Sequence, residues 1–264
     1  MFFKKFSQKA IIFLALSMVM ICVFSSCNTN SLHQHSWEDA TCQSPKKCSI
    51  CNITEGTVVD HIFVDGVCEF CQCEDPIFAE KKMGSNIYTS LVSIGAKAEK
   101  IGNYIYKAWH FYIYDSDDIS LSSDGVAEFS IKTGLPREYV NQAIMEYWAN
   151  YGYDGGELSN ILKQSTLGTL SGSVFVAQRS CELWGLTDGV EKDLQNIKNQ
   201  LKEMSPEYED ETGLSILKDL YKNVSTYYDF VNSPSGNINQ FSNQITDYTN
   251  KIIANASDLE FFYD

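Results

Sequence analysis

The chain has 264 residues and a formal net charge of −14, with 34 acidic against 20 basic residues. A surface this acidic repels nucleic acid and anionic lipid, which excludes both as partners of the body of the protein. Eight of the nine cysteines lie before residue 74. The composition therefore predicts a cysteine-rich N-terminal region followed by a region that contains almost no cysteine.

The chain begins with a basic segment followed by an apolar one. Lys4, Lys5 and Lys9 precede an uncharged run from Ala10 to Phe24. This order is typical of a secretory signal peptide, and the run is shorter than the roughly 20 apolar residues of a membrane-spanning helix. We expect residues 1–26 to be removed, which takes the formal charge from −14 to −17 because three lysines are lost.

The apolar run ends in Val23-Phe24-Ser25-Ser26-Cys27. Small residues before a cysteine resemble the lipobox of bacterial surface lipoproteins, although Phe24 stands where an aliphatic residue is usual. The resemblance implies that Cys27 carries diacylglycerol, whose two acyl chains suffice for stable anchoring at the outer face of the cell membrane. Residues 27–34 would then be a short tether. The alternative is cleavage near Ser26 with Cys27 unmodified.

Two C-x-x-C pairs lie in residues 35–75, namely Cys48-Ser-Ile-Cys51 and Cys68-Glu-Phe-Cys71. Their separation falls within the 15 to 20 residues typical of a zinc ribbon. Four thiolates suit a tetrahedral Zn²⁺ ion, and the metal can replace the core that so short a segment cannot build. The spacing predicts a structural Zn²⁺ held by Cys48, Cys51, Cys68 and Cys71.

The same region contains an internal repeat. His35-x-Trp37 followed by Cys42 recurs as His61-x-Phe63 followed by Cys68, with equal spacing. His35, Cys42 and His61 are then ligands of a second ion, alternates in the first site, or surface residues. Disulfides are a further alternative, because export brings thiols into an oxidising compartment. The odd number of cysteines after Cys27 and the two C-x-x-C pairs favour metal.

The pattern H-x-W-x-x-A-T-C-x-x-P-x-x-C-x-x-C, followed by H-x-F-x-D-G-x-C-x-x-C, spans His35 to Cys71. It resembles Cys/His modules in surface proteins of anaerobic Gram-positive gut bacteria. The resemblance implies a zinc-ribbon-like module without an assigned activity, on the surface of a Gram-positive cell. An anaerobic habitat would also favour free thiolates.

Beyond Pro76 the apolar residues fall at helical spacing. In the first segment they alternate steps of four and three, which predicts a long helix from about Gly84 to Tyr114. These residues are Ile87, Leu91, Ile94, Ala98, Ile101, Ile105, Ala108 and Tyr112. Pro136 suits the start of a second helix. In residues 157–184, Gly168 and Gly172 lie one turn apart and indicate a small-residue face for close helix packing.

Three further signals complete the helical region. Thr187 is a candidate N-cap for a helix starting near Val190, and Ser205-Pro206-Glu207 has the order of an N-cap, a first helical position and an acidic first turn. A turn at residues 232–236 precedes a last helix. The sequence therefore predicts a mainly α protein, in which an all-α bundle of five to seven helices at residues 80–264 follows the small zinc-ribbon-like Cys/His module.

The bundle shows no recognisable catalytic motif. Its one histidine, His110, lies in an aromatic run, and Cys181 lies in no activating context. We therefore expect a non-catalytic domain that binds a protein, peptide or glycan, with Trp109, Tyr147 and Trp148 as candidate binding residues. The alternative is a lipid-anchored hydrolase that acts on an envelope or glycan substrate through paired carboxylates.

Overall fold

The structure is a computed structural model that describes residues 34–115, 125–149 and 160–263. The expected signal peptide, Cys27 and all but the last residue of the expected tether lie outside these residues. The chain divides into two compact units, with the division between Asp75 and Pro76. The first unit contains the Cys/His module, and the second contains the helices.

The module consists of five very short antiparallel strands in two sheets. Strands β1, β2 and β3 form one sheet with β2 in the centre, and β4 pairs with β5 in a hairpin. The strands are Trp37–Glu38 (β1), Lys46–Cys48 (β2), Thr54–Glu55 (β3), Phe63–Val64 (β4) and Val67–Cys68 (β5). Asp65 and Gly66 join β4 to β5, both with positive φ, as a type I′ hairpin turn requires.

The described residues of the second unit form nine α-helices and one 3-10 turn. The helices are Pro76–Tyr114 (α1), Gly125–Thr133 (α2), Arg137–Ala149 (α3), Asn160–Leu167 (α4), Leu170–Leu183 (α5), Val190–Glu203 (α6), Glu209–Thr212 (α7), Leu214–Asn232 (α8) and Ile238–Tyr263 (α9). The 3-10 turn spans Pro206–Tyr208. The expected fold class, a mainly α protein with a helical bundle after a small Cys/His module, is confirmed. No helix in the described residues is both long enough and apolar enough to span a bilayer.

The core forms where α1, α8 and α9 pack against one another, with α5 also on α1 and α3 on α5. The apolar face predicted for α1 is buried except for Tyr112, which is half-buried. The helix itself begins eight residues before the predicted Gly84. A tertiary contact accompanies this extra length, because the Glu80 carboxylate accepts a hydrogen bond from the Ser205 amide at 2.9 Å.

The helices are more numerous than the predicted five to seven, because several apolar segments are interrupted. The segment after Ser205 contains a 3-10 turn, α7 and α8 instead of one helix, and Gly213 separates α7 from α8 with a φ of 63°. That left-handed conformation ends a helix and favours glycine. The helix α2 was not predicted, since its nine residues show too short a pattern.

Gly168 and Gly172 do not form the predicted small-residue face of one helix. Gly168 lies in the turn between α4 and α5, and Gly172 lies in the first turn of α5. Gly172 does pack closely, since an added Cβ atom would meet the Thr166 carbonyl oxygen of α4, but the glycines that allow two long helices to approach lie on α1. A Cβ atom added to Gly95 would lie 3.3 Å from Ile252, and one added to Gly102 would lie 3.2 Å from Ile245. These glycines allow α9 to approach α1 closely.

The helix caps differ from the prediction at Thr187. The N-cap of α6 is Gly189, so Thr187 does not cap it. Ser205 does act as an N-cap, since its hydroxyl accepts a hydrogen bond from the Glu207 amide, but it opens the 3-10 turn. Thr169 caps α5 by accepting a hydrogen bond from the Gly172 amide at 3.1 Å.

We expect Thr169→Ala to lower the free energy of unfolding of the helical unit by about 1 kcal/mol, because the Gly172 amide loses its acceptor. Thr187→Ala is the matched control and should change it by less than about 0.5 kcal/mol. Urea denaturation followed by circular dichroism measures both. A larger loss at Thr187 than at Thr169 would contradict this assignment of the caps.

Candidate metal centre

Each C-x-x-C pair forms a tight turn that follows a strand. In the first, the Cys48 amide donates to the Ile53 carbonyl at 2.8 Å, and the Asn52 amide donates to the Cys48 carbonyl at 2.9 Å. Asn52 has a φ of 62°. Such a turn places both cysteine side chains on the same side, which is the arrangement that two ligands of one ion require.

The second pair forms the same turn. The Cys68 amide donates to the Cys73 carbonyl at 2.9 Å, and the Gln72 amide donates to the Cys68 carbonyl at 3.0 Å. Gln72 has a φ of 61°, in the left-handed region that a non-glycine residue adopts only where its surroundings hold it there. The turn is thus repeated although the residue types differ.

Strand pairing brings one histidine to each turn. Trp37 lies opposite Cys48 in the first sheet, and His35, two residues before Trp37, has its Nδ1 atom 3.4 Å from the Sγ atom of Cys51. The His35 and Trp37 rings lie 5.1 Å apart. The aromatic residue of the H-x-W pattern therefore contacts the histidine ring, which helps to orient it towards the cysteines.

The second histidine is placed in the same way. Phe63 lies opposite Cys68, and the Nδ1 atom of His61 lies 3.4 Å from the Sγ atom of Cys71. The rings of His61 and Phe63 stack at 5.5 Å. The repeat in the structure therefore matches Cys48 with Cys68, whereas equal spacing in the sequence had matched Cys42 with Cys68.

The structure divides the seven predicted and alternate ligands between two groups. Group one consists of His35, Cys48 and Cys51, and group two consists of Cys42, His61, Cys68 and Cys71. Within each group the donor atoms all lie within 4.8 Å of one another, so either group could hold a metal ion. The four cysteines of the predicted single site do not form one group. Each C-x-x-C turn instead lies next to the histidine that precedes a strand of the same sheet.

Cys42 lies in the first repeat, in the connection between β1 and β2, yet its side chain contacts the second repeat. Its Sγ atom is 3.7 Å from that of Cys68. The backbone around it is held by a hydrogen bond from the Thr41 amide to the Ser44 carbonyl at 2.8 Å, and the Val59 amide donates to the Thr41 carbonyl. Group two therefore links the two repeats, while group one lies within the first.

The electrostatics of group two favour a thiolate on Cys68. The Cys71 amide and the His61 ring lower the pKa of the Cys68 thiol to about 5, although the residue is buried. Burial and the neighbouring cysteines raise the pKa of Cys42 to about 12, and hydrogen bonding to Cys68 raises that of His61. Because the thiolate is the metal-binding form of cysteine, these shifts favour that form at Cys68, and a bound cation would have to displace the protons of Cys42 and His61.

Cys73 lies beside group two but outside it. Its Sγ atom is 3.1 Å from that of Cys71 and 3.5 Å from the Nδ1 atom of His61, and the side chain is exposed. Its hydrogen bond to Cys71 raises the pKa of Cys73 to about 11 and lowers that of Cys71. Cys73 therefore supports the thiolate form of Cys71.

The candidate binding residues of the helical unit are largely packed. Trp109 is 7% exposed, packs on Phe241 at 5.6 Å between ring centres and borders an open pocket of about 510 Å³. The Trp148 indole donates a hydrogen bond to the Thr166 hydroxyl at 2.6 Å. Tyr147 contacts Phe175 at 5.2 Å. Phe175, which the sequence pattern did not single out, thus connects Tyr147 to the pocket that Trp109 borders.

A larger open cleft of about 770 Å³ lies between α5, the start of α6 and the end of α8. Phe175 and Gln178 line both this cleft and the Trp109 pocket. Arg179 also lines the cleft and pairs with Glu146 and Glu182. Its guanidinium lowers the pKa of Glu146, which is opposite to the raised pKa that a general acid of a glycosidase needs.

The helical unit contains two other candidate reactive groups, Cys181 and His110. Cys181 is completely buried, and burial raises the pKa of its thiol to about 12, so it is not a nucleophile at neutral pH. His110 is half-exposed, with its Nδ1 atom 3.8 Å from an Asp115 oxygen and its ring 4.4 Å from that of Tyr114. Neither lies in the two open pockets.

The Cys/His groups are therefore the clearest candidate sites in the described residues. They depend on two C-x-x-C turns, two histidines placed by strand pairing, and Cys42. Comparisons of the chain with models of known protein families, with curated proteins and with solved structures found no match.

Proposed function

We propose that this protein is a lipid-anchored extracytoplasmic lipoprotein whose module binds structural zinc and carries a helical binding domain. The observation that supports it best is group two, in which three cysteines and one histidine bring four donor atoms within 4.8 Å of one another. Four nitrogen and sulfur donors are the usual ligand set of a structural zinc site. The ligand of the helical domain would be a protein, a peptide or a glycan.

Two of the distances between donor atoms in group two are close to those around one zinc ion. In a tetrahedral site with Zn–S near 2.3 Å and Zn–N near 2.0 Å, two sulfurs lie about 3.8 Å apart and a sulfur and a nitrogen about 3.5 Å apart. Cys42 and Cys68 are separated by 3.7 Å, and Cys71 and His61 by 3.4 Å. Cys73 lies 3.1 Å from Cys71, but its Sγ atom is not among the four donors that all lie within 4.8 Å of one another.

The module also needs a source of stability other than apolar burial. Within residues 34–75 the only buried side chains are those of Cys48 and Cys68, whereas large apolar side chains such as Ile50, Val64 and Phe70 are exposed. Burying two thiols cannot offset the entropy lost on ordering some 40 residues. Metal binding supplies folding free energy to such small units.

The zinc proposal is tested on the mature chain purified with a reductant and without added metal. Elemental analysis should find bound zinc, and a strong chelator should remove it and abolish the dispersed amide NMR signals of the module. The helical signal should remain, because the second unit has its own core. A reduced protein that folds without any bound metal would overturn the proposal.

The lipid anchor is supported by the basic and apolar leader and by Ser25-Ser26-Cys27. We expect mass spectrometry of the mature N-terminus to find a diacylated Cys27, and Cys27→Ser to release the protein from the membrane fraction. Cys22→Ser is the matched control, since Cys22 lies within the apolar run and should leave anchoring unchanged. A mature N-terminus at Asn28, or at an unmodified Cys27, would contradict the anchor.

The two pockets that share Phe175 and Gln178 support a binding role for the helical unit. We expect Tyr147→Ala to weaken binding at least tenfold to a glycan or peptide found on defined arrays, because Tyr147 supports Phe175. Tyr114→Ala changes a tyrosine that is 66% exposed and outside both pockets, so it should bind normally. Turnover of a cell-wall or glycan substrate, lost on changing one Asp or Glu, would instead show the hydrolase.

A further inference from the structure

We propose that group one, His35, Cys48 and Cys51, binds a second zinc ion, so that the module holds two ions. This goes beyond the proposed function, for which one ion in group two is sufficient.

The first observation is that the backbone contacts of the two C-x-x-C turns correspond one by one. The bonds that close each turn, Cys48 to Ile53 and Cys68 to Cys73, measure 2.8 and 2.9 Å. The left-handed residue comes directly after the second cysteine in both turns. The two turns are therefore copies of one structural unit.

The hydrogen bond between each turn and the segment that contains its histidine is also repeated. The Ser49 amide donates to the Ser36 carbonyl at 2.9 Å, and the Glu69 amide donates to the Ile62 carbonyl at 3.0 Å. Ser36 and Ile62 each follow the histidine of their repeat. Since this bond joins the residue after the first cysteine to the residue after the histidine, it holds the three donors together in both copies.

The second observation is the match between the donor atoms. The distance from histidine Nδ1 to the second cysteine Sγ is 3.4 Å in both groups, close to the 3.5 Å or so expected around one zinc ion. In each C-x-x-C pair the first cysteine is completely buried and the second partly buried. Group one thus presents one nitrogen and two sulfur donors in the same arrangement as His61, Cys68 and Cys71 of group two, which also contains Cys42.

The third observation concerns what holds the first sheet together. The three strands of this sheet contain two or three residues each, and Cys48 is their only buried side chain. An ion in group two would hold this sheet only through Cys42, in the connection between β1 and β2. An ion in group one would join β1 to the turn after β2 directly, because His35 precedes β1 and Cys51 follows β2.

The experiment counts metal ions by native mass spectrometry on the mature, reduced chain. We expect two zinc ions in the natural sequence, one after Cys51→Ser, one after Cys71→Ser, and none after both changes. Cys73→Ser and Ser49→Ala are the matched controls and should retain two. One ion that survives Cys51→Ser but is lost in Cys71→Ser would overturn the second site and leave the proposed function standing. No ion in the natural sequence would overturn both.

A second measurement, which begins with the natural sequence, covers the case in which Cys51→Ser fails to fold and loses both ions. Cadmium NMR of the natural sequence loaded with Cd²⁺ should show two resonances, because the groups offer two and three thiolates and the cadmium shift depends on the number of sulfur ligands. Removing His35 by His35→Ala should move or abolish only the resonance of the two-thiolate group. A single resonance at saturating cadmium would overturn the proposal.

Discussion

Cys71→Ser should abolish metal binding in group two and unfold the β4–β5 hairpin with the turn that follows it. The change removes one of three thiolates from a set of four ligands, and binding of structural zinc by small units amounts to about 10–16 kcal/mol at neutral pH. Without that free energy the hairpin has only one buried side chain, that of Cys68, to keep it folded. Metal content and amide NMR dispersion of the reduced, mature chain measure the two effects.

Cys73→Ser is the control for this prediction because its thiol lies 3.1 Å from Cys71 but outside the four-ligand group. It should leave the number of ions unchanged, with at most a modest loss of affinity as Cys71 loses a hydrogen-bond partner. If the ion of group two is lost in Cys73→Ser and retained in Cys71→Ser, the ligand is Cys73 and not Cys71. In either variant the thermal transition of the helical unit should remain where it is, since that unit has a separate core.

Phe241→Ala should be among the most destabilising single changes in the helical unit. Phe241 is completely buried on α9, with its ring 5.1 Å from Phe230 and 5.6 Å from Trp109. Truncating a buried phenylalanine costs about 3–5 kcal/mol through lost burial and the cavity that remains. For a unit of this size that lowers the Tm by roughly 6–20 °C.

Phe261→Ala is the matched control for this change. It removes the same side chain from the same helix, but Phe261 is 88% exposed. We expect a change of less than about 0.5 kcal/mol, because little apolar surface is withdrawn from water there. Thermal denaturation followed by circular dichroism compares the two variants. Equal shifts in Tm would contradict the placement of α9 in the core.

Features that depend on neighbours in the chain could be predicted from residue spacing. The apolar face of α1 is an example, because residues three and four apart in a helix lie on one side whatever the helix packs against. Ile87, Leu91 and Ile94 are accordingly buried. The separation into a Cys/His module and a helical bundle follows in the same way from local composition.

Interruptions of the helices were harder to predict. The segment from 157 to 184 contains a break at Thr169, where a threonine side chain caps a new helix, and the segment after Ser205 breaks at Gly213. Both residue types also occur within helices, so a single threonine or glycine does not identify a break. The hydroxyl at Thr169 caps only because the chain has already turned at Gly168.

The grouping of the metal ligands depends on contacts between distant parts of the chain. The two C-x-x-C pairs could be recognised from spacing, yet that spacing suggested one site containing both. Strand register assigns His35 to Cys51 and His61 to Cys71 across 16 and 10 residues. Cys42 lies outside the strands, in the connection between β1 and β2, and contacts Cys68 across 26 residues. Backbone hydrogen bonds between strands determine such pairings, and equal intervals along the sequence do not specify which strands will pair.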